Sequence, residues 1–127
     1  MQLSENEMLI MELLWKEDRP MMRAEILKGT EGRNWNPASI HLILNSMISK
    51  GAIRITDEEK KYGRTYETCV NREDYARDAV KALFPGASMA EILKMLVMGC
   101  KKELTKSETN EIMEIFTNAG AKGKKRK

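Results

Sequence analysis

Residues 36–70, NPASIHLILNSMISKGAIRITDEEKKYGRTYETCV, contain the change of period that decides the fold. Asn36 offers a side-chain acceptor at a helix start, and Pro37 stands where a missing N–H costs nothing. Ile40, Ile43, Leu44, Met47 and Ile48 then fall at 0, 3, 4, 7 and 8, one face of a helix, which Gly51 closes after Lys50. Past Gly51 the apolar residues alternate. Ile53 and Ile55 interleave with Arg54 and Thr56, the period of a strand. DEEKKYG over 57–63 is a polar tip, and Arg64–Val70, rich in Thr, Tyr and Val, is a second strand.

Toward the N-terminus, Ser4 and Glu7 are spaced as a capping box, with Leu3 and Met8 as its hydrophobic staple. Ile10, Met11, Leu14 and Trp15 continue at helical intervals, so Glu5–Lys16 is expected to be an amphipathic helix that Pro20 ends. A shorter helix is expected over Arg23–Lys28, burying Ala24, Ile26 and Leu27, with Gly29 and Gly32 stopping it. Three helices followed by a hairpin with a charged tip is the order of a winged helix-turn-helix domain. In that architecture the third helix enters the major groove and the hairpin touches the backbone beside it.

Toward the C-terminus, Tyr75, Ala79, Ala82 and Leu83 mark a helix broken by Pro85-Gly86. Ser88 caps the next, whose stripe is Met89, Ile92, Leu93, Leu96 and Val97. Thr105 and Glu108 form a further capping box ahead of Ile112, Ile115 and Phe116. A segment of about 49 residues is marginal for a core of its own, so these apolar faces are expected to pair with a second copy. The fold class is therefore mainly α with a small β-hairpin. A winged helix-turn-helix domain over 1–70 is followed by a three-helix dimerisation region over 71–119 and a disordered basic tail over 120–127.

The net charge of +3 is not evenly spread: the last eight residues carry five cations, which leaves residues 1–119 at −2. Such a tail adds salt-sensitive affinity for phosphates or serves solubility alone. Catalysis is not expected, since the chain has one histidine, His41, and no GxSxG, HExxH or phosphate-cradling glycine loop. Cys69 and Cys100 lie far apart in no metal-binding spacing, so no metal, no cofactor and no disulfide framework are expected, as suits a reducing cytoplasm. Cys69 is expected to be a half-buried, inert thiol. MQLSENEM lacks the features of a secretion signal, and no apolar run approaches the ~18–20 residues of a membrane span. Of the ten methionines, Met8, Met11, Met47, Met89 and Met113 fall mostly on apolar stripes and are expected to fill the core, and Met95 and Met98 to widen the dimer stripe; Trp15 and Trp35 are expected to be packing anchors.

Three stretches resemble the penicillinase-repressor family: LSENEMLIMELLW over 3–15, NWNPASIHLILNSMISKGAI over 34–53 and YGRTYETCV over 62–70. The first is the most specific, and the likeness runs from residue 3 to about 116. The resemblance implies a homodimeric winged-helix repressor whose C-terminal helices hold two reading helices over a palindromic operator in double-stranded DNA. In the antibiotic-responsive branch it also implies a membrane sensor-protease pathway that cuts an Asn-Phe bond in the fifth helix, where this chain has Met95-Leu96. The copper-responsive branch binds metal through a Cys-x-Cys pair, whereas Cys100 stands alone.

The reading helix departs from the family pattern. Lys, Thr, basic, Thr and Arg positions of that pattern hold Ala38, Ser39, His41, Leu42 and Ser46, and no Lys or Arg lies between Asn36 and Ser49. Bidentate arginine-to-guanine reading is thereby lost to this helix. Asn45 suits an adenine edge and Leu42 a thymine methyl, while Ser39 and His41 suit phosphates or bases. The helix start at Asn36 suits a phosphate. Lys60, Lys61 and Arg64 are placed for the duplex backbone, with Arg23 near the second helix; alternatively Lys60-Lys61 is a solvated turn offsetting Asp57, Glu58 and Glu59. A second class of function stays open on the same residues: a protein-interaction module on a winged-helix scaffold that has lost sequence readout.

Overall fold

A computed structural model describes residues 1–33, 35–57 and 61–125, the last six through their backbone alone. Helix α1, Glu5–Glu17, begins at the expected capping box: the Glu7 N–H donates to Ser4 Oγ (3.2 Å) and the Ser4 N–H to Glu7 Oε1 (2.7 Å). It ends where Asp18 turns left-handed at φ 52° and donates its N–H to the Leu14 carbonyl. Helix α2, Arg23–Gly29, starts with the Met22 N–H on the Glu25 carboxylate (3.0 Å). A single 3-10 turn, Glu31–Arg33, leads on toward α3, Pro37–Lys50, which Asn36 caps by accepting the Ser39 N–H (2.9 Å). Gly51 at φ 81° closes α3, a conformation that favours glycine.

Three strands follow the order β1-β3-β2, all antiparallel: β1 is Met21–Met22, β2 Ile53–Ile55 and β3 Thr65–Thr68. The expected hairpin is β2 and β3, with Ile55 opposite Tyr66 and Arg54 opposite Glu67. Strand β1 was not foreseen. Its two residues pair with Tyr66 and Thr65, and a segment that short shows no alternation of its own.

Ile10, Met11, Ile26, Ile40, Leu44, Met47 and Ile53 are fully buried in one cluster, with Leu3, Leu14, Met21, Ala52 and Tyr66 around them. Each such aliphatic side chain contributes about 1.5–3 kcal/mol of burial. Ala24, expected inside, is exposed. Both tryptophans anchor as expected: Trp15 Nε1 donates to the Val70 carbonyl (2.9 Å), and Trp35 Nε1 to Thr30 Oγ1 (2.9 Å).

Two compact units divide the chain, Met1–Leu83 and Phe84–Lys127. The first therefore runs past the Val70 boundary drawn from the sequence and includes α4, Arg72–Leu83. Tyr75 explains why. Its ring lies 6.0 Å from that of Trp15, its hydroxyl accepts the Leu3 N–H (3.4 Å), and the neighbouring Arg72 pairs with Glu12 (3.1 Å).

In the second unit, Ser88 caps α5, Met89–Gly99, and Thr105 with Glu108 forms the expected capping box at the start of α6, Lys106–Lys125. Helix α6 continues through residues placed by composition in a disordered tail. Once nucleated, a helix adds residues cheaply, so composition alone does not mark where α6 stops. The tail expectation for Arg126 and Lys127 lies outside the described residues. Cys69, expected half-buried, is exposed.

Candidate nucleic-acid interface

The fold of the first unit turns one face of α3 outward. Ala38, His41, Leu42, Asn45 and Ser49 are exposed on it, Leu42 by 69%, while Ser39 is half-buried. Asn36 is exposed too, but its amide oxygen is occupied as the cap of α3. Ser46 does not join this face: its hydroxyl turns to α1 and donates to Glu7 Oε2 (2.9 Å).

Glu7 is the reason. This carboxylate, only 3% exposed, receives Lys50 Nζ (2.6 Å), the Ser46 hydroxyl and the Ser4 N–H. Burial alone would raise its pKa; the Lys50 bond, the Ser4 N–H and the Ser46 and Ser4 hydroxyls outweigh that and lower it from 4.5 to about 2. The cluster fastens the start of α1 to the last turns of α3, and so fixes the angle at which the outward face is held. From the sequence Glu7 was legible as a capping residue. Its partners on another helix were not.

A guanidinium reaches the helix that has none of its own. Arg23, the first residue of α2, places Nη1 3.1 Å from His41 Nδ1, and the amide of Asn45 stands 3.3 Å from His41 Nε2. The three side chains form a line across the outward face, from the start of α2 to the middle of α3.

Beside that line the hairpin forms the second wall of a cleft of about 550 Å³. Its rim carries Arg23, His41, Lys61 and Arg64, and its floor includes Leu27, Ile40 and Tyr66. Lys61 and Arg64 are exposed, Tyr62 between them is 88% exposed, and Gly63 makes the turn at φ 69°. Lys60 lies outside the described residues. A groove with a cationic rim over an apolar floor can take an anionic backbone at the rim while α3 lies alongside.

The residues expected to dimerise divide by exposure within the second unit. Leu96, Val97, Ile115 and Phe116 are exposed, and Met89, Leu93 and Ile112 are half-buried. Ile92 is fully buried within the single chain and so is not on a free surface. Met113, expected in the core, is 62% exposed, as are Met95 and Met98 to a lesser degree. A stripe at 0, 3, 4, 7 and 8 shows that a face is apolar without showing which of its members the chain covers itself.

Among the described residues no group of three or more His, Cys, Asp or Glu side chains is arranged to hold a metal ion, and no helix is long and apolar enough to cross a membrane. No individually curated protein matches the sequence. A family model described as penicillinase repressor matches residues 3–118, nearly the whole chain. With its winged-helix unit and the outward face of α3, the chain belongs to the penicillinase repressor family, a family of DNA-binding transcriptional repressors rather than of enzymes.

Proposed function

We propose that the protein acts as a cytoplasmic homodimer on a palindromic operator, each protomer laying α3 in a major groove. The observation that carries this reading is the pairing of α3's polar outward face with the exposed Lys61 and Arg64 of the hairpin across one cleft. Asn45 and Leu42 supply base contacts with His41 beside them on the same face, Ser39 and the helix start near Asn36 and Ala38 face the backbone, and the hairpin cations fix register. Two-fold symmetry sets the half-sites about one helical turn apart, ~10 base pairs. The exposed Leu96, Val97, Ile115 and Phe116 support pairing through the second unit, since a patch of that kind is costly to leave in water. A membrane sensor protease acting on this chain would meet Met95-Leu96 on the same apolar helix.

The test is selection of bound duplexes from fragmented genomic DNA, with the mass of the free protein measured by light scattering. One enriched palindrome and a dimer mass are expected. The exposed Leu42 favours one other reading, a protein-docking face on a winged-helix scaffold. No enriched motif, together with a protein retained through Leu42, would replace the repressor by that module.

A further inference from the structure

Arg23 lies outside the reading helix, is exposed, and among the described residues spends its guanidinium on a ring nitrogen of that helix rather than on a carboxylate. An arginine has donors only, so His41 Nδ1 must accept from it. The neutral ring then carries its proton on Nε2, where the Asn45 amide stands at 3.3 Å. A half-turn of that amide, which leaves its shape unchanged, sets its oxygen against the Nε2 proton. The chain Arg23 to His41 to Asn45 is then satisfied at every step, and the Asn45 carboxamide is held from one side with its other edge turned outward.

We propose that Arg23 is a positioning residue for base recognition: through His41 it orients Asn45, so that a residue of α2 decides the preference read by α3 at one base pair of each half-site. This rests on the proposed DNA-binding reading and deepens it. A carboxamide discriminates adenine only when both of its groups meet the base edge in plane, so its rotation is the quantity that specificity depends on. An exposed asparagine on a bare helix rotates freely and loses that advantage to entropy. Here one bond to a ring that Arg23 itself holds restricts it. The arrangement also accounts for a reading helix whose one cation, Lys50, is tied to Glu7: a guanidinium arrives from α2 and acts on the amide instead of on a base.

The experiment uses the full chain and a random-sequence duplex library. The wild type is expected to select a motif with one position per half-site at which Asn45→Ala removes most of a roughly 5- to 150-fold preference. Arg23→Ala and His41→Ala should each flatten that same position while preferences elsewhere persist. Adding Arg23→Ala to His41→Ala should change nothing further, and Arg23→Lys, which keeps a donor of similar reach, should restore most of the preference. If Arg23 served only as a phosphate contact, Arg23→Ala would weaken all duplexes alike, lower the salt slope by ~0.9 and leave the preference intact. That result overturns this proposal and spares the repressor reading. Failure of the wild type to enrich any motif overturns both.

Discussion

Lys50 Nζ lies 2.6 Å from Glu7 Oε1, so the carboxylate that caps α1 is also the group to which the last turn of α3 is tied. One buried anion thus serves a local purpose, satisfying the Ser4 N–H, and a tertiary one, holding Ser46 and Lys50. Replacing Glu7 with Ala removes one half of the capping box and leaves the half-buried Ser46 hydroxyl and the Lys50 ammonium without their acceptor. The expected loss in urea denaturation is about 2–4 kcal/mol. Glu7→Gln keeps an acceptor for Ser4 and should lose less. Equal stability of Glu7→Ala and wild type would show that the cluster does not fasten the two helices.

The same cluster sets an acid limit. Glu7's pKa is lowered to about 2 from 4.5, so the unfolded chain takes up its proton first as pH falls. Its contribution is complete above about pH 4.5 and is lost as the pH drops toward 2. Melting curves across pH 7 to 2 should therefore show wild type and Glu7→Gln converging at the acid end. A difference that stays constant through that range would mean the charge of Glu7 is not what stabilises.

The local signals in this sequence were legible because each is complete within a few residues. Ser4 with Glu7, Asn36 with Pro37, and Gly51 all mark ends that the structure reproduces. What escaped needed a partner elsewhere in the chain. Strand β1 exists through pairing with Thr65 and Tyr66. Ser46 lies on the flank of an exposed face by its helical angle, yet a carboxylate on α1 claims it. Arg23 could be placed near the second helix, but not against His41, because nothing in spacing relates residues eighteen apart on two helices. The apolar stripe of α5 likewise conceals that Ile92 is covered within the chain while Leu96 and Val97 are not.

Arg64 and Asn45 should separate affinity from sequence preference. Arg64 lies on the cationic rim of the cleft and Asn45 on the outward face of α3. Arg64→Ala is expected to weaken all duplexes alike in band-shift titrations and to reduce the salt slope by ~0.9 per site. Asn45→Ala is expected to cost about 1–3 kcal/mol on the preferred sequence and much less on others. Identical profiles for the two variants would remove the division of roles between hairpin and helix.

The last eight residues hold five of the chain's 22 basic groups, and without them the remainder is acidic overall. Truncation after Ala119 leaves a reading helix with no lysine or arginine between Asn36 and Ser49, so few phosphates are neutralised. The truncated protein should accordingly show a shallow dependence of log affinity on log salt, ~0.9 for each phosphate engaged. A slope as steep as that of the full chain would place the phosphate contacts elsewhere on the folded part.

Phe116, 48% exposed on α6, tests the pairing of copies. An aspartate there costs little in a lone chain, because the ring is already half in water. Buried in a partner it leaves a charge without a counter-ion, a penalty of several kcal/mol per ion. Phe116→Asp should therefore shift sedimentation from dimer to monomer at micromolar concentration while the melting of the Met1–Leu83 unit is unchanged. Operator affinity should fall with it, since a monomer reaches only one half-site and loses the effective concentration that the second supplies. A dimer that persists in Phe116→Asp, and equally in Leu96→Asp, would move the self-association surface away from α5 and α6.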